Sequence, residues 1–133
     1  WNIGIKDPEE PAGSLLGMAR IIGKTVVTSG DYERYFEEDG RRYHHILNPF
    51  TGYPGKSEIR GVTIITSSSI DADALSTTVF LLGPEEGMQL IESLEGVEAV
   101  VVTDKRQVVL SSGIKDTFSL LKANYKIRQV GAK

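Results

Sequence analysis

The chain has 133 residues, of which 40% are hydrophobic and 25% charged, a composition typical of a folded domain or part of one, not of a disordered chain. Its formal net charge of −3 provides no basic field, so nucleic acid is not expected among its partners. Cysteine is absent, which excludes disulfides, zinc sites built on thiolates and cysteine nucleophiles.

The first residues of the chain and its hydropathy were compared with the patterns of signal peptides and membrane-spanning helices. No apolar run approaches the roughly 18 residues that a membrane-spanning helix requires. The chain starts with WNIGIKDP, which has neither a methionine nor the basic-then-apolar pattern of a signal peptide. Because a strand-like alternation begins at residue 1, we expect the chain to be a piece of a longer protein.

The first thirty residues predict strands. Residues 1–5 (WNIGI) alternate large apolar with small or polar side chains, as a half-buried strand does. The proline-containing residues 6–14 predict a loop. Residues 17–30 hold two β-branched runs and predict one or two strands that end at Gly30.

The next segment predicts a hairpin. Asp39 and Gly40, flanked by aromatic residues, form a dipeptide that is typical of a two-residue hairpin turn. His44 and His45 would then lie late on the returning strand, and the alternation of side chains would send them to opposite faces of the sheet.

The middle of the chain predicts two helices after a strand. Residues 59–67 (IRGVTIITS) are typical of a strand, whereas residues 71–83 (DADALSTTVFLLG) have a helical period with Gly83 as the C-cap. Proline at one end and glycine at the other predict a second helix over residues 84–96.

The last third of the chain completes the fold prediction. Residues 97–113 predict a hairpin that turns at Asp104 and Lys105, and residues 114–129 predict a short amphipathic segment. Strands outnumber helices and come in hairpins. We therefore predict an α+β fold, an antiparallel or mixed sheet built of hairpins and covered by helices.

The segment DADALSTT is a candidate metal site. Asp71 and Asp73 open the predicted helix, where an aspartate caps free N–H groups and complements the helix dipole. Asp73 and Thr77 lie one turn apart on one face, with Ser76 alongside. A carboxylate with hydroxyl or carbonyl oxygens suits Mg²⁺, which takes its other ligands from water and substrate phosphate. Such triples are common on helices, so the spacing leaves both capping and metal binding open.

Two further segments carry candidate polar groups. GRRYHHILNPFTGYPG contains both histidines of the chain, and a histidine beside a turn is more often a structural hydrogen-bonding residue than a general base. Without cysteine or a third histidine, a zinc site is not expected. SGDY, at residues 29–32, predicts either a turn or an oxygen-rich wall of a pocket.

Four segments, taken in order, resemble the carboxyl-terminal half of the ApbE family: WNIGIKDP, VVTSGDYERYFEEDGRRYHHILNPFTGYP, GVTIIT and DADALSTTVFLLG. The resemblance extends from residue 1 to about residue 113. It implies an ApbE-like, T-fold-like architecture. Residues 1–133 would then be the carboxyl-terminal portion of a single flavin transferase domain whose amino-terminal half is absent.

The resemblance implies an activity. ApbE proteins are Mg²⁺-dependent FAD:protein FMN transferases, which pass FMN from FAD to a threonine or serine hydroxyl of a target protein and release AMP. Some members instead hydrolyse FAD to FMN and AMP. The implied partners are FAD, the target protein and the rest of the domain, with a homodimer left open. The family is bacterial, and the implied location is the cell envelope, as a periplasmic lipoprotein, or the cytoplasm.

The resemblance also implies roles for particular residues. The family segment D-A-L-x-T carries magnesium, which corresponds to Asp73, Ser76 and Thr77. The segment H-I-x-[DN]-P-x-T-G makes His45 the base or the orienting group. Phosphoryl transfer needs a cation on the pyrophosphate and a base near the incoming hydroxyl, so these residue types suit the reaction. The amino terminus of the helix near Asp71 would add N–H groups toward the anion.

The resemblance further implies that the backbone of Leu47 lies against FAD, and we predict Ser29 and Gly30 as the other cofactor-binding residues. His44 points away from the site and is expected to be structural. Many family members have aspartate at the position of Asn48, so a role that needs negative charge there is not expected of this chain.

Three functions remain in competition. The first is a flavin transferase, and the second is a flavin-binding or FAD-storing protein without transfer activity. The third is a structural half-domain that completes the fold of another chain. The presence of Asp73, Thr77 and His45 together favours catalysis.

Overall fold

The computed structural model describes residues 1–10, 12–32, 35–55 and 57–130, apart from the side chain of Arg42. Within this part of the chain, two helices are inserted among ten strands. Their order is β1 (Asn2–Lys6), β2 (Leu15–Arg20), β3 (Thr25–Gly30), β4 (Tyr35–Glu38), β5 (Arg41–His44), β6 (Ile59–Thr66), α1 (Ser69–Leu82), α2 (Pro84–Glu92), β7 (Glu98–Thr103), β8 (Gln107–Leu110), β9 (Phe118–Leu120) and β10 (Lys126–Gln129). No helix in the described residues is long and apolar enough to cross a membrane.

The strands form two sheets and a separate hairpin. The central sheet has the order β10-β8-β7-β6-β3, and the smaller sheet has the order β1-β2-β9. Neighbouring strands are antiparallel except β10, which runs parallel to β8. Strands β4 and β5 pair with each other. The predicted α+β fold with an antiparallel or mixed sheet and covering helices is confirmed.

The central sheet is buried on both faces, which explains its nearly continuous apolar strands. In β6, Val62 and Ile64 pack with Phe80 of α1 on one side. Ile65 belongs to the cluster on the other side, with Leu16 of the smaller sheet. The order of layers is therefore small sheet, central sheet, helices.

Local sequence rules hold at two turns. Asp39 and Gly40 have φ angles of 50° and 74°, so the predicted hairpin with positive φ at both central residues is confirmed. Gly83, with φ of 87°, ends α1 and precedes Pro84 of α2, which confirms that boundary. The second helix ends at Glu92, before the predicted end at Gly96.

The start of α1 differs from the prediction. Its N-cap is Ser68, whose hydroxyl accepts a hydrogen bond from the N–H of Asp71 at 3.3 Å. Serine caps as well as aspartate does, so the helix begins earlier than the two aspartates suggested. Asp71 lies in the first turn, and Asp73 lies beyond it with no capping role.

The tail also differs from the prediction. Residues 114–129 contain two short strands in place of an amphipathic segment, and each strand joins a different sheet. Phe118 of β9 is buried with the small sheet, and Tyr125, just before β10, is buried in the same cluster. Pairing with distant strands, which local periodicity does not report, decides the structure here.

A buried hydrogen bond ties this tail to the loop after β1. The Tyr125 hydroxyl donates to Oδ1 of Asp7 at 2.7 Å, and Asp7 also accepts from the N–H of Glu9 at 2.9 Å. Burial and the hydrogen bond to Asp7 raise the pKa of Tyr125 above its ordinary value of about 10. The folded chain therefore holds this proton at a pH where the unfolded chain loses it.

We expect the free energy of unfolding to fall as pH rises above about 10, because Tyr125 then ionises in the unfolded state first. The variant Tyr125→Phe should lose about 1–3 kcal/mol at neutral pH, since Asp7 loses a buried donor. It should also show a smaller alkaline loss than the wild type. Urea unfolding between pH 7 and 11 measures both effects, and parallel pH profiles for the two proteins would contradict the assignment.

Candidate active site

Helix α1 presents one face to the central sheet and the other to the outside. Ala72, Ser76 and Phe80 are buried on the inner face, as the helical period requires. Asp73 is exposed and Thr77 is half-buried. The predicted metal residues are thus divided between the two sides, Ser76 within and the other two toward the outside.

Two predicted site residues that are far apart in the sequence meet beneath this helix. Oγ of Ser76 donates to the carbonyl oxygen of Asp73 at 2.9 Å and lies 2.7 Å from Oγ of Ser29 in β3. Since Ser76 has a single hydroxyl proton, Ser29 is the donor in the contact between the two serines. Both hydroxyls are therefore used inside the protein, which leaves Asp73 and Thr77 as the accessible members of the predicted metal set.

The chemistry of these donors can be matched to a cation. The Asp73 carboxylate makes no hydrogen bond or ion pair with the described residues, and Thr77 lies one turn further along α1. Nowhere in the described ranges do three His, Cys, Asp or Glu side chains gather around a common point. Such a partial set of oxygen donors fits Mg²⁺, which keeps several waters and shares substrate phosphates, and it does not fit a structural zinc ion.

His44 joins the two ends of the loop that follows β5. We call these ends, Ile46 and Gly55, the neck of the loop. Nδ1 of His44 accepts from the N–H of Ile46 at 3.2 Å, and its Nε2 lies 3.0 Å from the carbonyl oxygen of Gly55. With Nδ1 used as an acceptor, the network assigns the proton to Nε2, which donates to Gly55. The ring also meets Phe80 of α1 edge-on, with centroids 5.2 Å apart.

The same neck is packed directly against α1. A side chain at Gly55 would place its Cβ 2.5 Å from Cδ2 of Leu81, so the loop approaches α1 closely at this glycine, and a larger residue would displace the Leu81 side chain. Ile46 is buried in the cluster that contains the helix. The loop that carries the predicted FAD contact is therefore fixed to the helix that carries the predicted metal donors.

His45 does not lie on the returning strand. Strand β5 ends at His44, and His45 is exposed in the bend that follows. The expectation that both histidines belong to the strand is wrong for His45, because the bond from Ile46 to His44 turns the chain there. The two rings are separated by this bend and not by the alternation of a strand.

The loop after His45 is held by its own backbone and side chains. Leu47 pairs with Pro54 in an isolated antiparallel bridge, and its side chain is exposed. The N–H of Asn48 donates to the carbonyl of Tyr53 at 2.8 Å, and Oδ1 of Asn48 accepts from the N–H of Phe50 at 2.9 Å. Asparagine and aspartate both accept such a bond, so Asn48 can shape this turn without a charge.

Two clefts lie on either side of His44. One, of about 680 Å³, runs between β5 and the loop and is lined by Tyr43 and Tyr53 among others. The other, of about 450 Å³, is lined by Asp31 and Arg60, whose side chains form an ion pair at 2.7 Å. The segments that we predicted to bind flavin from the sequence thus line open clefts.

Gly30 has a structural reason to be glycine. It pairs with Gly61 of β6, and a Cβ added to it would lie 2.4 Å from the Tyr32 ring. The close approach at Gly30 is therefore made by Tyr32. The predicted contact of Gly30 with the cofactor stays a prediction, and so do the predicted contacts of Leu47 and Ser29.

The sequence missed three features of the site. The contact of Ser29 with Ser76 and the ion pair of Asp31 with Arg60 join residues 47 and 29 positions apart. No spacing rule reports such pairs. For His44 the sequence predicted a structural hydrogen-bonding role but not its partners, the N–H of Ile46 and the carbonyl of Gly55.

Comparison with known proteins identifies the family of the chain. The sequence profile of the ApbE family matches residues 1–101. An FAD:protein FMN transferase of Klebsiella pneumoniae (strain 342) is 45% identical over 127 residues, which cover 96% of this chain and 40% of that protein. The FAD:protein FMN transferase of Treponema pallidum (strain Nichols) is 40% identical over 129 residues, covering 97% of this chain and 36% of that protein.

A solved structure agrees with these matches. The ApbE protein of Thermotoga maritima superposes with a TM-score of 0.77 at 37% identity, covering 88% of this chain and 38% of that one. The chain therefore spans about two fifths of the length of the relatives that it matches. With its profile match and two relatives at 40% identity or more across nearly all its length, the chain belongs to the ApbE family.

Proposed function

We propose that the chain is the carboxyl-terminal part of an enzyme that transfers FMN from FAD to a threonine or serine hydroxyl of a target protein, with Mg²⁺ as cofactor and AMP as the second product. Its relatives are named FAD:protein FMN transferase. The observation that carries the proposal is the geometry of α1. The helix holds an exposed Asp73 one turn from Thr77 and packs on the neck of the loop next to His45.

Asp73 and Thr77 would hold the cation. When bound, Mg²⁺ supplies positive charge that neutralises the pyrophosphate oxygens of FAD. The free carboxylate of Asp73 supplies the negative charge that retains such an ion, and Thr77 adds a neutral oxygen. Further ligands would come from water, from the substrate and from other parts of the full-length protein.

His45 would take the proton of the acceptor hydroxyl. The acceptor oxygen then forms a bond to the phosphorus of the FMN phosphate, while the bond from that phosphorus to the bridging oxygen breaks and AMP departs. His45 is exposed and follows directly on His44, which lines both clefts, so an incoming protein chain can reach it. In this scheme His44 keeps its bonds to Ile46 and Gly55.

The loop from Leu47 to Pro54 would contact the flavin nucleotide. Its backbone is fixed at both ends, so an FAD molecule that rests against Leu47 meets a preformed surface. Ser29 and Gly30 lie on β3, where Ser29 contacts the helix that would bear the metal donors. In this proposal the rest of the FAD pocket comes from other parts of the full-length protein.

Mass spectrometry tests this function. The full-length protein is incubated with FAD, Mg²⁺ and an acceptor domain that contains threonine, and the acceptor should gain the mass of FMN. An acceptor with that threonine changed to alanine is the control. Release of FMN and AMP without modification would indicate an FAD pyrophosphatase, and bound but intact FAD would indicate a flavin-binding protein.

His45→Ala should slow the transfer of FMN by a factor of about 10² to 10⁴, the usual contribution of a positioned base. Binding of FAD should change far less, because the proton moves only in the reaction itself. Single-turnover rates and flavin fluorescence measure the two quantities.

His44→Ala is the matched control for this prediction. It leaves the N–H of Ile46 and the carbonyl of Gly55 without their partner, so it should lower the melting temperature. The folded fraction should retain most of the transfer rate. Full activity of His45→Ala beside an inactive, folded His44→Ala would reverse the two roles.

Asp73→Asn should remove most of the metal-dependent turnover at limiting Mg²⁺, because the amide keeps the size of the side chain and loses its charge. Asp71→Asn is the control, since Asp71 is also exposed in the same helix but lies away from Thr77 in the first turn. Transfer rates at a series of Mg²⁺ concentrations measure the effect. Identical Mg²⁺ dependence in Asp73→Asn and the wild type would place the cation elsewhere.

A further inference from the structure

We propose that Ser29 and Ser76 are positioning residues for the metal site, in which a chain of two partly buried hydrogen bonds holds the backbone of Asp73 against strand β3. This inference rests on the proposed function of α1 as the helix that binds the cation. Neither hydroxyl is a metal ligand in this scheme. Their effect on the cation passes through the position of Asp73.

The bonding of Ser76 supports this role. Ser76 is fully buried, with none of its surface exposed, and its hydroxyl donates to the carbonyl oxygen of Asp73. In an α-helix that carbonyl also accepts from the N–H of Thr77, four residues on. The Asp73 carbonyl therefore joins the backbones of both metal donors to Ser76.

Ser29 extends the connection to the sheet. Its hydroxyl donates to Ser76, and β3 on which it lies pairs with β6 in the central sheet. The Cα partner of Ser29 is Val62, which belongs to the apolar cluster on the helix side. The Ser29 hydroxyl is therefore carried by a strand that is paired within the sheet. Its bond to Ser76 attaches α1 to this rigid element.

Thr78 makes a bond like that of Ser76 to the helix backbone but, in the described part of the chain, has no bond to strand β3. Its Oγ1 donates to the carbonyl of Ala74 at 2.8 Å, which is a similar hydroxyl-to-carbonyl bond on the same helix. Thr78 is exposed and makes no contact with β3 through its hydroxyl among the described residues. A helix-internal bond and a bond to the sheet can thus be separated by experiment.

The expected consequence concerns the affinity for the cation. Loss of a group that orients a metal ligand typically weakens metal binding about 10- to 100-fold. Ser76→Ala removes both bonds, whereas Ser29→Ala removes only the bond to the sheet. Ser29→Thr keeps a hydroxyl on a strand, where threonine is well accommodated, and should restore the affinity.

The test is a titration of the full-length protein with Mn²⁺, read by electron paramagnetic resonance, with melting temperatures recorded for each variant. Ser29→Ala and Ser76→Ala should weaken Mn²⁺ binding at least tenfold, Ser29→Thr should bind within about threefold of the wild type, and Thr78→Ala should match it. If Ser76→Ala does not fold, the two Ser29 variants carry the test.

Two contrary results have different meanings. If Ser29→Ala binds Mn²⁺ like the wild type while Asp73→Asn does not, the metal site stands and the positioning role of the serines is overturned, even where the melting temperature falls. If Asp73→Asn also binds Mn²⁺ normally, the metal site on α1 fails and the positioning role fails with it.

Discussion

Helix α1 lies across strands β3 and β6 and, through its buried side chains, touches both segments that the proposed chemistry needs. Ser76 meets Ser29 of β3, and Phe80 meets His44 at the neck of the loop. The apolar residues around these contacts belong to the cluster between the helices and the central sheet. A shift of α1 would therefore move the metal donors, the histidine bend and the loop relative to one another.

This packing assigns different tasks to the two faces of one helix. The buried face provides position, because its polar atoms are satisfied inside the protein and its apolar atoms fill the core. In the proposed function the outer face would provide the chemistry, because Asp73 keeps a carboxylate that no described residue neutralises. Residues on rigid elements hold a site more precisely than residues on loops. The loop that would contact the flavin is held at its ends by His44 and lies close to α1 at Gly55.

Local rules predicted the features that depend on a few neighbouring residues. The turn at Asp39 and Gly40 and the break at Gly83 follow from φ angles that favour glycine or its neighbours, so the sequence alone indicates them. The tail strands depend on pairing with distant strands, and the departure of His45 from its strand depends on a side chain that binds the backbone. Of the candidate site, the motif spacing indicated Asp73 and Thr77, whereas the bond between Ser29 and Ser76 required the fold to bring them together.

The most direct test of the account is the location of the metal. Crystals of the full-length protein grown with FAD and Mn²⁺, measured at the manganese absorption edge, would give an anomalous peak at the ion. The account predicts a peak in coordination contact with the Asp73 carboxylate and an oxygen of Thr77, on the side of α1 away from Ser29. A peak held by other residues of this chain, or the absence of any peak at α1 in crystals that contain FAD, would contradict it.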